Sequence, residues 1–113
     1  MSELLRQSAE EMASSVRAGS FSARELVDAS LARIAEVEPQ VHALLSTRAE
    51  RARARATEID ARVARGEDPG PLAGVPVVVK DNIVDQGGSA TCASRILENF
   101  VPTYSATALA RLE

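Results

Sequence analysis

The chain has 113 residues, which suits one domain at most and allows roughly two thirds of the unfolded surface to be buried. Hydrophobic residues make up 45% of it but aromatic residues only 3%, so alanine and valine must fill the interior of closely packed helices around a modest sheet. A net charge of −3 gives no overall attraction to nucleic acid or to an anionic membrane, and one cysteine cannot form an internal disulfide. The N-terminus does not show the pattern of a signal peptide, and no apolar stretch approaches membrane-spanning length, so a cytoplasmic protein without DNA or a membrane as partner is expected.

Two helix-start signals open the chain. In each, a serine is followed three residues later by a glutamate, so that both side chains can satisfy unpaired N–H groups at the start of a helix. The pairs are Ser8 with Glu11 and Ser22 with Glu25. They predict a first helix over residues 9–17 and a second over residues 23–37.

A proline is expected to end the second helix. Pro39 disfavours the helical conformation of the residue before it. The apolar run over residues 41–45 could form a short strand. A third helix is predicted over residues 47–65, where apolar side chains recur three and four positions apart. Residues 66–71 hold two glycines and two prolines, and this linker is expected to contain neither helix nor strand.

The pattern changes after the linker. Residues 76–80 are predicted to form a buried strand, because their apolar run is continuous rather than alternating. Residues 87–89 favour a flexible loop and residues 94–99 a short helical turn. Residues 107–113 begin another helix that reaches Glu113 without a capping residue, so the chain is expected to be a fragment.

Lys80 is the one lysine in a chain that carries twelve arginines. Unlike arginine, a desolvated lysine can lose its proton and act as a base. It follows the apolar run and precedes Asp81, which could orient the amine or simply pair with it. Lys80 is therefore the candidate catalytic residue. The alternative is a strand-terminal ion pair, with Asn82 opening a turn.

Other polar side chains are weaker candidates. Cys92 could act with Lys80 on an amide, but a single cysteine is expected to pack as a small buried residue. His42 has no triad partner nearby and is expected to be structural or partly exposed. One face of the third helix could contact RNA phosphates, although a solvated, charge-paired face is expected. Its arginines are Arg48, Arg51, Arg55 and Arg62. A zinc site is not expected, because it needs more than one cysteine and one histidine.

Two segments resemble the amidase signature family. Residues 71–82 contain a Leu-x-Gly-x-Pro run that ends in Lys-Asp, which is similar to the general strand motif of that family. Residues 91–102, Thr-Cys-Ala-Ser-Arg-Ile-Leu-Glu-Asn-Phe-Val-Pro, resemble a narrower branch, and residues 104–107 continue the pattern. That branch is the A subunit of the glutamyl-tRNA(Gln)/aspartyl-tRNA(Asn) amidotransferase.

The resemblance implies an α/β fold, in which N-terminal helices lead into the first strands of a mixed sheet flanked by helices. Residues 1–113 would be the N-terminal part of a single amidase-signature domain. Within it, residues 1–65 would be helical, residues 66–71 a linker and residues 72–113 the start of the catalytic core.

The resemblance also implies a mechanism. Family members cleave amides with a Ser–cis-Ser–Lys triad, in which Lys80 matches the lysine that acts as the base. Both serines and the glutamine-binding groups would lie beyond Glu113. Three serines of this chain do not match those positions and stay unassigned. They are Ser89, Ser94 and Ser105. The 113-residue chain alone is therefore expected to have no glutaminase activity.

In the amidotransferase branch the A subunit hydrolyses glutamine, and the ammonia serves protein biosynthesis by amidating misacylated tRNA. The resemblance implies B and C subunits as partners and places ATP and Mg²⁺ on one of these partners, with no cofactor in this chain. Two alternatives stay open. One is a stand-alone amidase acting on small amides, and the other is a non-catalytic helical interaction module.

Overall fold

A computed structural model describes residues 2–113, which form two compact units that divide between Pro76 and Val77. The first unit holds a short 3₁₀ turn and three helices. These are Glu3–Arg6, α1 (Ala9–Ala18), α2 (Ala23–Val41) and α3 (Ala49–Ala64). The second unit holds a 3₁₀ turn, Arg95–Leu97, and α4 (Thr107–Leu112). No helix within residues 2–113 is long and apolar enough to cross a bilayer.

Both predicted helix starts are confirmed. The Glu11 N–H donates to the Ser8 hydroxyl over 3.2 Å, and the Glu11 carboxylate accepts the Ser8 N–H at 2.7 Å. Ser22 and Glu25 repeat the arrangement at the start of α2, with distances of 3.0 and 2.7 Å. Each such Ser–Glu pair is a capping box, and it satisfies two N–H groups that have no partner inside the helix.

The prediction that Pro39 ends the second helix is wrong, since α2 continues to Val41 with the proline inside it. Proline removes only its own N–H, and the effect on the preceding residue is a preference rather than a prohibition. The next turn is closed by Glu38, whose carbonyl accepts the N–H of His42 at 2.9 Å. Its carboxylate accepts the N–H of Leu44 at 2.7 Å. Glu38 therefore stabilises the last turn that Pro39 weakens.

The possible strand over residues 41–45 is also absent. Val41 belongs to α2, and His42 ends the helix in the left-handed conformation at φ 51°. Residues 42–48 are irregular. The amides that a strand would offer to a neighbour are partly used by Glu38, so the apolar run forms a helix end rather than a strand.

The core of the first unit lies where α3 packs against α1 and α2. Alanine and valine supply five of its seven buried residues, as the scarcity of aromatic residues predicts, and leucine and isoleucine supply the other two. The seven are Val16, Ala23, Leu26, Val27, Ala56, Ile59 and Ala73. Ala73 belongs to the turn that follows the linker, so this turn is packed onto the helices of its own unit.

Two carboxylates connect α3 to α2. Asp60 accepts the N–H groups of Ala23 and Arg24 at 2.7 and 3.1 Å, which caps the start of α2 from a neighbouring helix. Asp28 accepts Nε of Arg53 and Nε of Arg24, both at 2.9 Å. Hydrogen bonds from Arg53 first and Arg24 second lower the pKa of Asp28 below its ordinary value. Both contacts fix the position of α2 beside α3.

The buried strand predicted over residues 76–80 is not formed, and residues 2–113 contain no strand at all. The three valines of the run are exposed, by 53% at Val77, 76% at Val78 and 37% at Val79. A strand exists only where a second segment accepts and donates its ladder hydrogen bonds. The apolar run has no such partner among the described residues, so the mixed sheet is not visible here. The helical part of the predicted architecture is confirmed.

Candidate active site

Lys80 lies at the first position of a tight turn in the second unit. Its carbonyl accepts the N–H of Ile83 at 3.0 Å, which closes the turn over Asp81 and Asn82. The Lys80 side chain is exposed. Among residues 2–113 no hydrogen bond or ion pair of its amine is found, so the expected alternative of an ion pair with Asp81 is not formed.

The Asp81 carboxylate is bound to Thr91 instead. Its Oδ2 accepts a hydrogen bond from the Thr91 hydroxyl, and its Oδ1 accepts the Thr91 N–H at 3.3 Å. The carbonyl of Asp81 accepts the N–H of Cys92 at 3.2 Å. The residue directly after Lys80 is thus held by three hydrogen bonds from the segment that begins at Thr91.

Thr91 also organises the turn that follows it. Its hydroxyl oxygen accepts the N–H of Ala93 at 3.3 Å, and its carbonyl accepts the N–H of Ser94 at 2.8 Å. Cys92 and Ala93 both adopt the left-handed conformation, at φ 49° and 57°. This conformation costs a non-glycine residue about 1–2 kcal/mol. Two consecutive strained residues therefore persist because Thr91 and Asp81 hold both sides of the turn.

The expectation that Cys92 packs as a buried residue is wrong, since its side chain is exposed. The left-handed turn accounts for this exposure. The backbone N–H of Cys92 donates to the carbonyl of Asp81, while the turn itself lies at the surface. No hydrogen bond joins the thiol to the Lys80 amine within the described part of the chain. The structure therefore does not bring these two side chains into a catalytic pair.

A second set of bonds fixes the loop after the Lys80 turn. The N–H of Gly87 donates to the carbonyl of Pro102 at 3.1 Å, and the N–H of Ala106 donates to the carbonyl of Val84 at 2.9 Å. The Ser105 hydroxyl accepts the N–H of Gln86 at 3.0 Å, which gives this serine a structural contact. Residues 84–87 are thereby tied to the segment that leads into α4.

The remaining sequence candidates lie in the first unit. His42 is exposed and ends α2 in the left-handed conformation. Arg55 pairs with Glu58 at 2.8 Å, and Arg53 pairs with Asp28. Arg48 and Arg51 also take part in polar or charged interactions. Among the four arginines predicted for this face, the ion pair of Arg55 agrees with a solvated, charge-paired helix face.

Sequence reasoning gives Thr91 no role, although the structure makes it the centre of the site. Nothing in the residue order shows that a threonine ten positions after an aspartate will bind it, because the contact depends on how the loop folds back. Among residues 2–113 no three potential metal ligands come together. The chemistry offered here is an exposed amine on a tightly fixed turn.

Known proteins share the segment that contains the Lys80 turn. The amidase family profile matches residues 25–113, which include the Lys80 turn and the Thr91 segment. The A subunit of the glutamyl-tRNA(Gln) amidotransferase from Prochlorococcus marinus (strain MIT 9303) is 54% identical over 97 residues, or 86% of this chain and 20% of that protein. The protein of the same name from Carboxydothermus hydrogenoformans is 45% identical over 111 residues, 98% of this chain and 23% of that protein.

A solved structure is similar across the described backbone. It has a TM-score of 0.89 and 33% sequence identity, and the match covers 94% of this chain and 23% of the solved chain. It comes from a vestigial protein complex that reveals the evolutionary origins of an s-triazine catabolic enzyme. The chain spans about a fifth of the length of the curated relatives it matches. Since the family profile covers most of its length, the chain belongs to the amidase family.

Proposed function

We propose that Lys80 is the catalytic base of an amidase, and that residues 1–113 form the N-terminal part of a single amidase-signature domain. Residues 1–65 would be its helical region, residues 66–71 a linker and residues 72–113 the start of the catalytic core. The observation that carries the proposal is the Lys80 turn itself. It presents an amine without an ion-pair partner among the described residues, within the segment that matches the family.

The proposed reaction proceeds through an acyl-enzyme. The Lys80 amine accepts a proton from a bridging serine, which accepts one from a second serine as that serine attacks the amide carbon. The amine product leaves with a proton, and water then hydrolyses the acyl-enzyme. Backbone N–H groups would stabilise the oxyanion. We infer from the resemblance that both serines lie outside these residues, and the 113-residue chain alone is therefore expected to be inactive.

The proposed substrate is glutamine, and the proposed use of the ammonia is amidation of Glu-tRNA(Gln) or Asp-tRNA(Asn) in the cytoplasm. The relatives that are named as amidotransferase components support this assignment. Such a complex would include B and C subunits and would use ATP and Mg²⁺. ATP and Mg²⁺ are proposed to bind a partner protein of the complex, and no step described here involves them.

The mixed sheet also belongs to the proposal. Residues 77–79 are apolar, exposed and outside any helix, as a sheet strand would be without its neighbours. In a complete amidase domain these valines would be covered and would pair with strands from other segments. This arrangement would hold Lys80 at the end of a fixed strand.

A hybrid protein tests the proposal. This chain would replace the matching segment of the Carboxydothermus relative, which aligns with 98% of it, and glutamine hydrolysis would be measured with the partner subunits of that organism. Lys80→Arg should reduce kcat by about 10²–10⁴-fold, because a guanidinium stays protonated and cannot serve as a base. Arg6→Lys, an equally small change at an exposed position, is the matched control and should leave kcat unchanged.

Full activity of the Lys80→Arg hybrid would instead support the non-catalytic helical module. The solved structure at 33% identity is linked to an s-triazine catabolic enzyme, so an amidase that acts on other small amides is the second candidate. The same hybrid distinguishes it. Hydrolysis of small amides that is faster than that of glutamine, with no binding to the partner subunits, would select the stand-alone amidase.

A further inference from the structure

Asp81, the residue directly after the proposed base, is hydrogen-bonded to Thr91 and not to the Lys80 amine. A carboxylate directly after a lysine would be expected to pair with its amine, yet the Asp81 side chain accepts two hydrogen bonds from Thr91. Its backbone carbonyl accepts a third bond, from Cys92. All three donors belong to the segment after Ala90. Asp81 therefore connects the Lys80 turn to a second turn ten residues later in the chain.

The second turn is strained in a way that requires an explanation. Cys92 and Ala93 are consecutive non-glycine residues at positive φ, and both are exposed. Surface turns rarely keep two such residues, and strain of this kind is found where the surrounding structure over-determines the backbone for function. Here the restraint comes from Thr91, which donates to Asp81 and accepts from Ala93.

We propose that Thr91 and Asp81 are positioning residues for Lys80, an inference that rests on the proposed role of Lys80 as the base. The Thr91 hydroxyl holds the Asp81 carboxylate, and this has two effects. It fixes the backbone that carries Lys80. It also engages the carboxylate that follows Lys80 in sequence, so that this carboxylate does not pair with the amine. Neither residue needs to touch the substrate.

The test uses the hybrid amidase with substitutions at Thr91. Thr91→Val keeps the shape of the side chain but removes the hydroxyl, and it should lower kcat by roughly 10–100-fold, as expected for a misplaced catalytic group. KM should stay within about twofold, because the substrate contacts are not changed. Thr91→Ser restores the hydroxyl and should recover most of the lost rate. Equal losses in the valine and serine variants would overturn the proposal.

A double-mutant cycle tests whether the two residues act together. Asp81→Asn keeps the size of the side chain but removes the charge that binds the hydroxyl, and it should also lower kcat. If the pair acts as one unit, the double variant should lose about as much as the worse single variant. Losses that multiply would show two independent roles and contradict the proposal. If Thr91→Val does not fold, Asp81→Asn and Thr91→Ser still provide the measurement.

The outcomes separate this inference from the proposed function. If Lys80→Arg leaves the hybrid active, the proposed function fails. If Lys80→Arg abolishes activity while Thr91→Val does not change kcat, only the positioning role fails. Backbone NMR of the 113-residue chain supplies a readout that is independent of activity. Thr91→Val should shift the amide signals of residues 80–83, and unchanged signals there would contradict the contact.

Discussion

Gly74 shows how closely one residue can control the packing of its unit. It is buried at φ +77°, and a Cβ atom there would lie 2.9 Å from Cβ of Ala23 and 3.2 Å from Cγ2 of Val16. Both the backbone conformation and the close approach therefore require glycine. This gives a physical reason for the glycine in the Leu-x-Gly-x-Pro run, because it lets the turn after the linker pack between the end of α1 and the start of α2.

Replacement of Gly74 should be more damaging than the loss of a positive-φ glycine alone. Gly74→Ala adds a clash to backbone strain and should lower the free energy of unfolding by about 2–4 kcal/mol. Gly66→Ala is the matched control, because Gly66 has a similar φ of +72° with no atom within 4 Å of the added Cβ. It should cost about 1 kcal/mol. Urea unfolding of the 113-residue chain measures both, and equal losses would show that the clash is relieved cheaply.

At the scale of helices, α2 is capped twice. The Ser22 box satisfies N–H groups from within its own sequence, while Asp60 on α3 accepts the N–H groups of Ala23 and Arg24. The carboxylate also lies at the positive end of the helix dipole. One side chain thereby contributes to the stability of α2 and to the packing of α3 beside it.

Removal of this cap should destabilise the helix pair. Asp60→Ala should lower the free energy of unfolding by about 1–2 kcal/mol, since N-cap losses are of that size. Glu58→Ala, on the same helix, removes an exposed ion pair with Arg55 and should cost less than about 1 kcal/mol. Thermal unfolding followed by circular dichroism compares the two variants. A smaller effect for Asp60→Ala than for Glu58→Ala would mean that Ser22 caps α2 alone.

The helices show what a sequence can and cannot predict. The starts of α1 and α2 are readable because a capping box is a contact between residues three apart. The end of α2 cannot be read in this way. The rule that a proline ends a helix does not consider the contacts by which Glu38 stabilises the turn around Pro39. At the candidate site, Lys80 is distinctive by composition alone. Thr91 is not, because its bond to Asp81 appears only when the loop is folded.

At the scale of the whole molecule, the two units differ in what stabilises them. The first has a continuous core of three packed helices. The second has one helix of six residues, and turns and loop hydrogen bonds make up most of its described structure. Residues 77–80 begin the second unit, and their backbone N–H groups donate no hydrogen bond within the described chain. The run forms no strand among the described residues, because the pairing partners of a sheet strand are non-local.

Hydrogen exchange should report this difference directly. In the 113-residue chain, the amides of residues 77–80 should exchange rapidly, whereas those of the core helix α2 should be protected. In the hybrid amidase, the same amides should become protected as they pair within a sheet. Slow exchange in the short chain would contradict the unpaired segment described here. Rapid exchange in a folded, active hybrid would contradict the proposed strand.

The exposed valines of residues 77–79 also favour aggregation of the chain. Apolar, β-branched residues with unsatisfied backbone groups can pair with the same segment of another molecule, which is how aggregation begins. Pro76 precedes the run and Lys80 follows it, and a proline and a charge at these positions oppose intermolecular pairing. The lysine proposed as the base would thus have a second use. Lys80 would oppose the pairing of residues 77–79 with the same segment of another molecule until the rest of a sheet covers them.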